Sequence, residues 1–218
     1  MKTLKSFGKV AAGHLRLCLC DANPDVADAW LDAFGDVNEA EILVGSLLDA
    51  DADALVSPAN SFGDMGGGVD KAIDDFFNGA AQTAFRAAIA DQFLGELPVG
   101  MALIVTLPGR TPRFPFLIAA PTMRVPRSVA GTINAYLAFR AVLVAVARHN
   151  RANQQPIRTV AVPGLCTGVG AMPPGESARQ MRAAWDNVIG GDWEQVVHPA
   201  LAPYAFGPAS DKDWLRPL

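Results

Sequence analysis

The 218 residues carry 22 acidic and 18 basic side chains, a formal net charge of −4, and are 50% hydrophobic and 18% charged. That is enough apolar mass to bury one sizeable core, and the lack of any basic block excludes a protein that grips nucleic acid by bulk electrostatics. Lys2, Lys5 and Lys9 lead into no long apolar stretch and no run is long enough to span a bilayer, so a cytoplasmic protein with no membrane association is expected.

Residues 1–12 read as a loose lead-in. Residues 14–20 alternate around leucines and predict a strand with Cys18 and Cys20 on one face, packed in the core rather than reactive. With Cys166 they make three cysteines and no paired framework, which suits a reducing compartment. Asn23 as N-cap and Pro24 at the first helical position open a helix that Gly35 ends. A second strand over 41–44 runs into Gly45-Ser46-Leu47.

The apolar run Ala54-Leu55-Val56 predicts a buried strand, broken at Ser57-Pro58 because proline removes a donor and bends the preceding residue away from helix. Asn60 follows, then a loop with Gly63, Gly66, Gly67 and Gly68, and a helix from Val69 that carries Asp70 and Ile73 one turn apart. A strand, a glycine loop and a helix N-terminus together aim backbone N–H groups at an anion. A phosphate or diphosphate is the obvious one.

Further on, residues 80–93 predict a helix, with Phe76, Phe77 and Phe85 as core rather than a stacking platform. Strands are expected over 100–107 and 116–121, separated by a Pro-rich turn over 111–115. Arg124 and Arg127 lie in the next loop and read as solvated. A long amphipathic helix over 132–149 precedes a strand over 158–162 and a second loop, Pro163-Gly164-Leu165-Cys166-Thr167-Gly168-Val169-Gly170. Pro173-Pro174 start a helix to about residue 188, and residues 193–197 a last short strand. Tyr204, Phe206 and Trp214 mark a tail that packs over the domain or covers the site. His14, His149 and His198 are scattered, so no metal site and no cofactor is expected.

Two segments carry a resemblance to a known family. Ser57-Pro58-Ala59-Asn60 with Gly66-Gly67-Gly68-Val69-Asp70, and the later Cys166-Thr167-Gly168-Val169 loop, resemble the two signature loops of the macro domain, the ADP-ribose-binding family, in order and context. The resemblance covers about residues 39–190, with the strand-helix over 14–35 and the tail over 199–218 as additions to a single domain. It implies a three-layer α/β/α fold around a mixed, largely parallel sheet, with both loops at strand carboxyl ends facing one crevice. It also implies that Gly63, Gly66, Gly67, Gly68 and Val69, with Thr167, Gly168, Val169 and Gly170, cradle the diphosphate, that Ala59 contacts the ligand, and that Asn60 and Asp70 hold the distal ribose and an attacking water. Ser46 and Leu47 would border the adenine. Ser46 stands where the family usually has an aspartate, and a hydroxyl is the weaker acceptor; Asp49 or Asp51 is the alternative. Asp74 stands where some hydrolases have histidine, and Gly170 where many members have an aromatic residue.

The expected ligand is therefore ADP-ribose or an ADP-ribosylated substrate. The expected activity is removal of ADP-ribose from protein, or of phosphate from ADP-ribose 1″-phosphate; the alternative is a non-catalytic binding module. A third reading takes Gly164-Leu165-Cys166-Thr167-Gly168 as a nucleophile elbow, with a Cys166 thiolate activated by His198. Oligomeric state is left open.

Overall fold

The computed structural model describes residues 1–5, 15–107 and 113–195. The described strands form one sheet: β1 (Lys2–Lys5), β2 (Arg16–Asp21), β3 (Ala40–Val44), β4 (Ala54–Ser57), β5 (Leu103–Val105), β6 (Phe116–Ala119) and β7 (Thr159–Val162), in the spatial order β1-β3-β2-β7-β4-β6-β5. The five inner strands, β3, β2, β7, β4 and β6, run parallel, and the edge strands β1 and β5 are antiparallel. Buried parallel strands read as short apolar runs because both their faces are covered.

Alternation within each run splits the core in two. Leu17, Leu19, Val56, Ile118, Val160 and Val162 face α1 (Pro24–Phe34), α4 (Asn134–Ala152) and α5 (Pro174–Val188). Cys18, Cys20, Leu55, Leu117 and Ala161 face the other way, towards α2 (Gly68–Phe76) and α3 (Ala80–Phe93). The result is three layers, helix on sheet on helix. Helix α1 shows how a layer is held. Asn23 caps it, its Oδ1 accepting from Asp25 N at 3.0 Å, and Val26, Ala27, Trp30 and Phe34 bury its inner face. Each of the large apolar side chains in that face contributes about 1.5–3 kcal/mol.

Several expectations need correction. Residues 2–5 are not a lead-in but the edge strand β1, paired with β3, and Lys5 Nζ donates to Phe34 O and Val37 O at 2.7 Å each. Such a strand is short and charged, as an exposed edge demands, and carries no period-2 signal. The strand-helix unit β2–α1 is no appendage, since β2 lies between β3 and β7 inside the sheet. Only Leu103–Val105 of the run over 100–107 is strand, and residues 192–195 form a 3-10 turn instead of a strand. Phe77 and Phe85 are core, whereas Phe76 is 38% exposed, edge-on to Phe77 and Phe114. His14, residues 108–112 (which include the first two of the expected turn over 111–115), His198 and the tail lie outside the described residues. No helix among the described residues is long and apolar enough to cross a membrane.

Candidate functional site

The carboxyl ends of all five parallel strands open onto one crevice of about 680 Å³. Each strand sends a loop to it: residues 20–23 after β2, 45–47 after β3, 58–72 after β4, 122–126 after β6 and 163–170 after β7. Sheets of this kind bind ligands where loops leave neighbouring parallel strands in different directions.

The glycine loop supplies one wall. Gly67 is the N-cap of α2 with extended backbone (φ −155°), and Gly68 opens the helix at φ +58°, a left-handed conformation that favours glycine. No side chain caps α2, so its first N–H groups are left for another acceptor. Nothing stands within 4 Å of the position a Cβ would take at either residue. Gly67, Gly68, Val69 and Asp70 all line the crevice, as does Ala59. Gly63 and Gly66 do not. Gly63 (φ +66°) turns the chain against α3, where a Cβ would meet Ile89 at 3.0 Å, and Gly66 lies beside the Asp64 carboxylate.

Asp70 is the chemically distinctive group. Its carboxylate accepts a hydrogen bond from Ser57 Oγ at 2.6 Å. Burial pushes its pKa up to about 7; the Ser57 hydrogen bond pulls the other way and the Asp64 charge adds to the rise. Asn60 also lines the crevice, but its amide is engaged within its own loop. Oδ1 accepts from Phe62 N at 3.0 Å and Asp64 N at 3.4 Å, and Nδ2 donates to Asp64 O at 3.0 Å. Asp74 Oδ1 accepts from Gln82 N, in the first turn of α3, at 2.9 Å.

Opposite stands the second loop, with Thr167, Gly168, Val169 and Gly170 on the crevice. Gly170 is required sterically, since a Cβ there would stand 2.4 Å from Cys166 O. Its carbonyl accepts from Val129 N at 2.8 Å, and Thr122 Oγ1 donates to Pro58 O at 2.9 Å, so the loop after β6 ties the loops after β4 and β7 together.

Ser46 and Leu47 close one end. Ser46 Oγ accepts from Leu48 N and caps a 3-10 turn. Asp49 and Asp51 are exposed and do not line the crevice. Asp21 does, and sequence reading passed over it: Oδ1 accepts from Asn23 N and Oδ2 from Gly164 N, both at 2.9 Å. The loop residues Thr122, Met123 and Pro126 were likewise passed over. Arg124 pairs with Glu96 and lies over the Phe62 ring, in keeping with a solvated rim residue.

The elbow reading of Cys166 finds no support here. Its backbone is left-handed (φ +66°), but the thiol is buried and burial pushes its pKa up to about 12, which keeps it protonated at neutral pH. His149, the single histidine among the described residues, faces Gln155 O and the Phe116 ring instead.

The family model for the macro domain matches residues 56–181, which include the loops after β4, β6 and β7 on the crevice. The chain belongs to the macro domain family. An uncharacterized protein of Aquifex aeolicus is 34% identical over 143 residues, covering 66% of this chain and 78% of its own. Among solved structures, the macrodomain of Mycobacterium tuberculosis DarG superposes with a TM-score of 0.54 at 24% identity, over 66% of this chain and 87% of that one. Thermosipho africanus DarTG in complex with ADP-ribose gives 0.52 at 14% identity, over 75% of this chain and 48% of that one. At such identities these likenesses speak for the fold alone. This macro domain's β2–α1 unit, which supplies Asp21, lies outside the span that the family model matches.

Proposed function

We propose that this macro domain binds ADP-ribose along the crevice and hydrolyses the bond at the distal ribose. The observation that carries the reading is the pairing of an uncapped helix N-terminus at Gly67–Gly68 with a partly buried carboxylate, Asp70, at the third position of the same helix. The first feature suits a diphosphate and the second suits a general base whose pKa lies near working pH. Thermosipho africanus DarTG was solved with ADP-ribose, which is consistent with that ligand class.

In this reading the diphosphate lies between α2 and the loop 167–170, held by backbone N–H groups. Ser46 and Leu47 border the adenine, and Asn60 and Asp70 border the distal ribose; Asn60 has one N–H of its amide left to give. Asp70 takes a proton from water as the water oxygen bonds to the anomeric carbon. The leaving oxygen, of a protein carboxyl or of a 1″-phosphate, departs with the electron pair of its bond.

Calorimetric titration with ADP-ribose, with AMP and ribose 5-phosphate as controls, is the test. Binding of ADP-ribose well above either control is expected, together with release of ADP-ribose from an ADP-ribosylated protein. No heat with any of the three would overturn the ligand assignment. Binding without release would reduce the protein to a reader.

A further inference from the structure

Resting on the hydrolytic reading above, we propose that Ser57 is a positioning residue for that reaction: its hydroxyl holds one oxygen of Asp70 so that the other is presented to the attacking water. Ser57 ends β4, one residue before Pro58 on the crevice wall, and is itself 1% exposed. It is the one polar residue of an otherwise apolar strand, Ala54-Leu55-Val56-Ser57, so a role in packing alone does not account for it. Its backbone is fixed by the sheet, in register with Ala119 and with its carbonyl accepting from Ala120 N at 3.0 Å. A hydroxyl there must find a partner or stand as a buried unsatisfied donor.

The partner it has is Asp70 Oδ1 at 2.6 Å, across from strand to helix. Asp70 Oδ2 has no protein partner among the described residues. One oxygen is thus anchored and the other available, which is the arrangement a water-activating carboxylate needs. The anchor's chemistry matters as well. A lysine or arginine in Ser57's place would orient Asp70 but hold it as a stable anion, a poor base. A neutral hydroxyl orients it and leaves its basicity largely intact. The other ionisable groups lining the crevice are Asp64, on the loop before α2, Asp21 and Cys20 at the end of β2, and Cys166 after β7. No lysine, arginine or histidine lines it among the described residues.

The test compares wild type, Ser57→Ala and Ser57→Thr, each first checked for folding by thermal unfolding. Three readouts follow: ADP-ribose affinity, kcat on an ADP-ribosylated protein across pH, and the carboxyl carbon resonance of Asp70, assigned by its loss in Asp70→Asn. In Ser57→Ala, affinity should stay within about twofold while the Asp70 titration and the acid limb of kcat both move to higher pH. That corresponds to roughly tenfold slower turnover at about pH 6. Ser57→Thr should restore both. Wild-type turnover with an unchanged profile in Ser57→Ala would overturn the proposal alone, as would kcat and affinity falling together. Absence of wild-type turnover would remove the hydrolytic reading and the proposal with it. Should Ser57→Ala not fold, Ser57→Cys, a weaker donor of similar size, takes its place under the same criteria.

Discussion

At Gly67 the backbone is already in a conformation that any residue adopts, and open space lies where a side chain would start. Gly67→Glu should therefore fold with a Tm near that of wild type, while its carboxylate competes for the N–H groups at the start of α2. The expected outcome is loss of ADP-ribose affinity by at least about a hundredfold, read by titration calorimetry; unchanged affinity would remove the glycine loop from the site. Asp70 makes the complementary case, a carboxyl group whose burial opposes stability. Its pKa of about 7 lies above the ordinary carboxylate value of 3.8. Between those values the folded protein holds a proton that the unfolded chain has released, so the contribution of Asp70 to stability falls as pH rises through this window and levels off above it. Asp70→Asn removes the penalty of burying the charge. Its gain in Tm over wild type should be largest at about pH 8 and smallest at about pH 4, a difference of roughly ten degrees. A gain that does not depend on pH would mean that Asp70 is not held near neutrality.

Elements were legible where their signals are local. The cap of α1 at Asn23-Pro24 and the glycine-rich start of α2 could be read because each is written within four residues of the element it governs. The edge strand β1 could not, because its existence depends on pairing with residues 42–44. The same limit hid Asp21. A lone aspartate after a strand looks like a turn residue, and nothing nearby says that its partner Gly164 is 143 positions away. Ser57 was visible as part of a motif, but its bond to Asp70 depends on a helix that packs back over the strand. Asp21 is also what joins the end of β2 to the loop after β7 through Gly164 N, and to the loop after β3 through Gly45 N, which donates to its backbone carbonyl at 2.9 Å. Asp21→Ala leaves Gly164 N and Asn23 N without their acceptor and frees the loop to sample other positions. ADP-ribose affinity should drop by roughly tenfold, the worth of about one hydrogen bond. Asp21→Asn, which keeps one acceptor oxygen, should lose less. An Asp21→Ala protein with wild-type affinity would show that the second loop holds its shape without this bracket.

On the scale of the whole molecule, the proposed ligand poses a question of charge, because an acidic protein would have to take a doubly charged diphosphate. The net charge is −4, and the crevice is lined by the carboxylates of Asp21, Asp64 and Asp70 with no cationic side chain among the described residues. Attraction must then come from fixed dipoles, the N–H groups of α2 and of the loop 167–170, which act over a few ångströms and are little affected by dissolved ions. Paired point charges behave differently, because salt screens them over a Debye length of about 10 Å at 0.1 M. The carboxylates around the crevice repel the diphosphate, and salt weakens that repulsion too. ADP-ribose affinity should therefore stay level, within about threefold, or rise slightly between about 0.05 and about 0.5 M sodium chloride. A site using two arginine contacts would lose roughly tenfold or more over the same range. Titrations at three salt concentrations decide between them, and a steep fall would mean that a cationic side chain reaches the diphosphate after all.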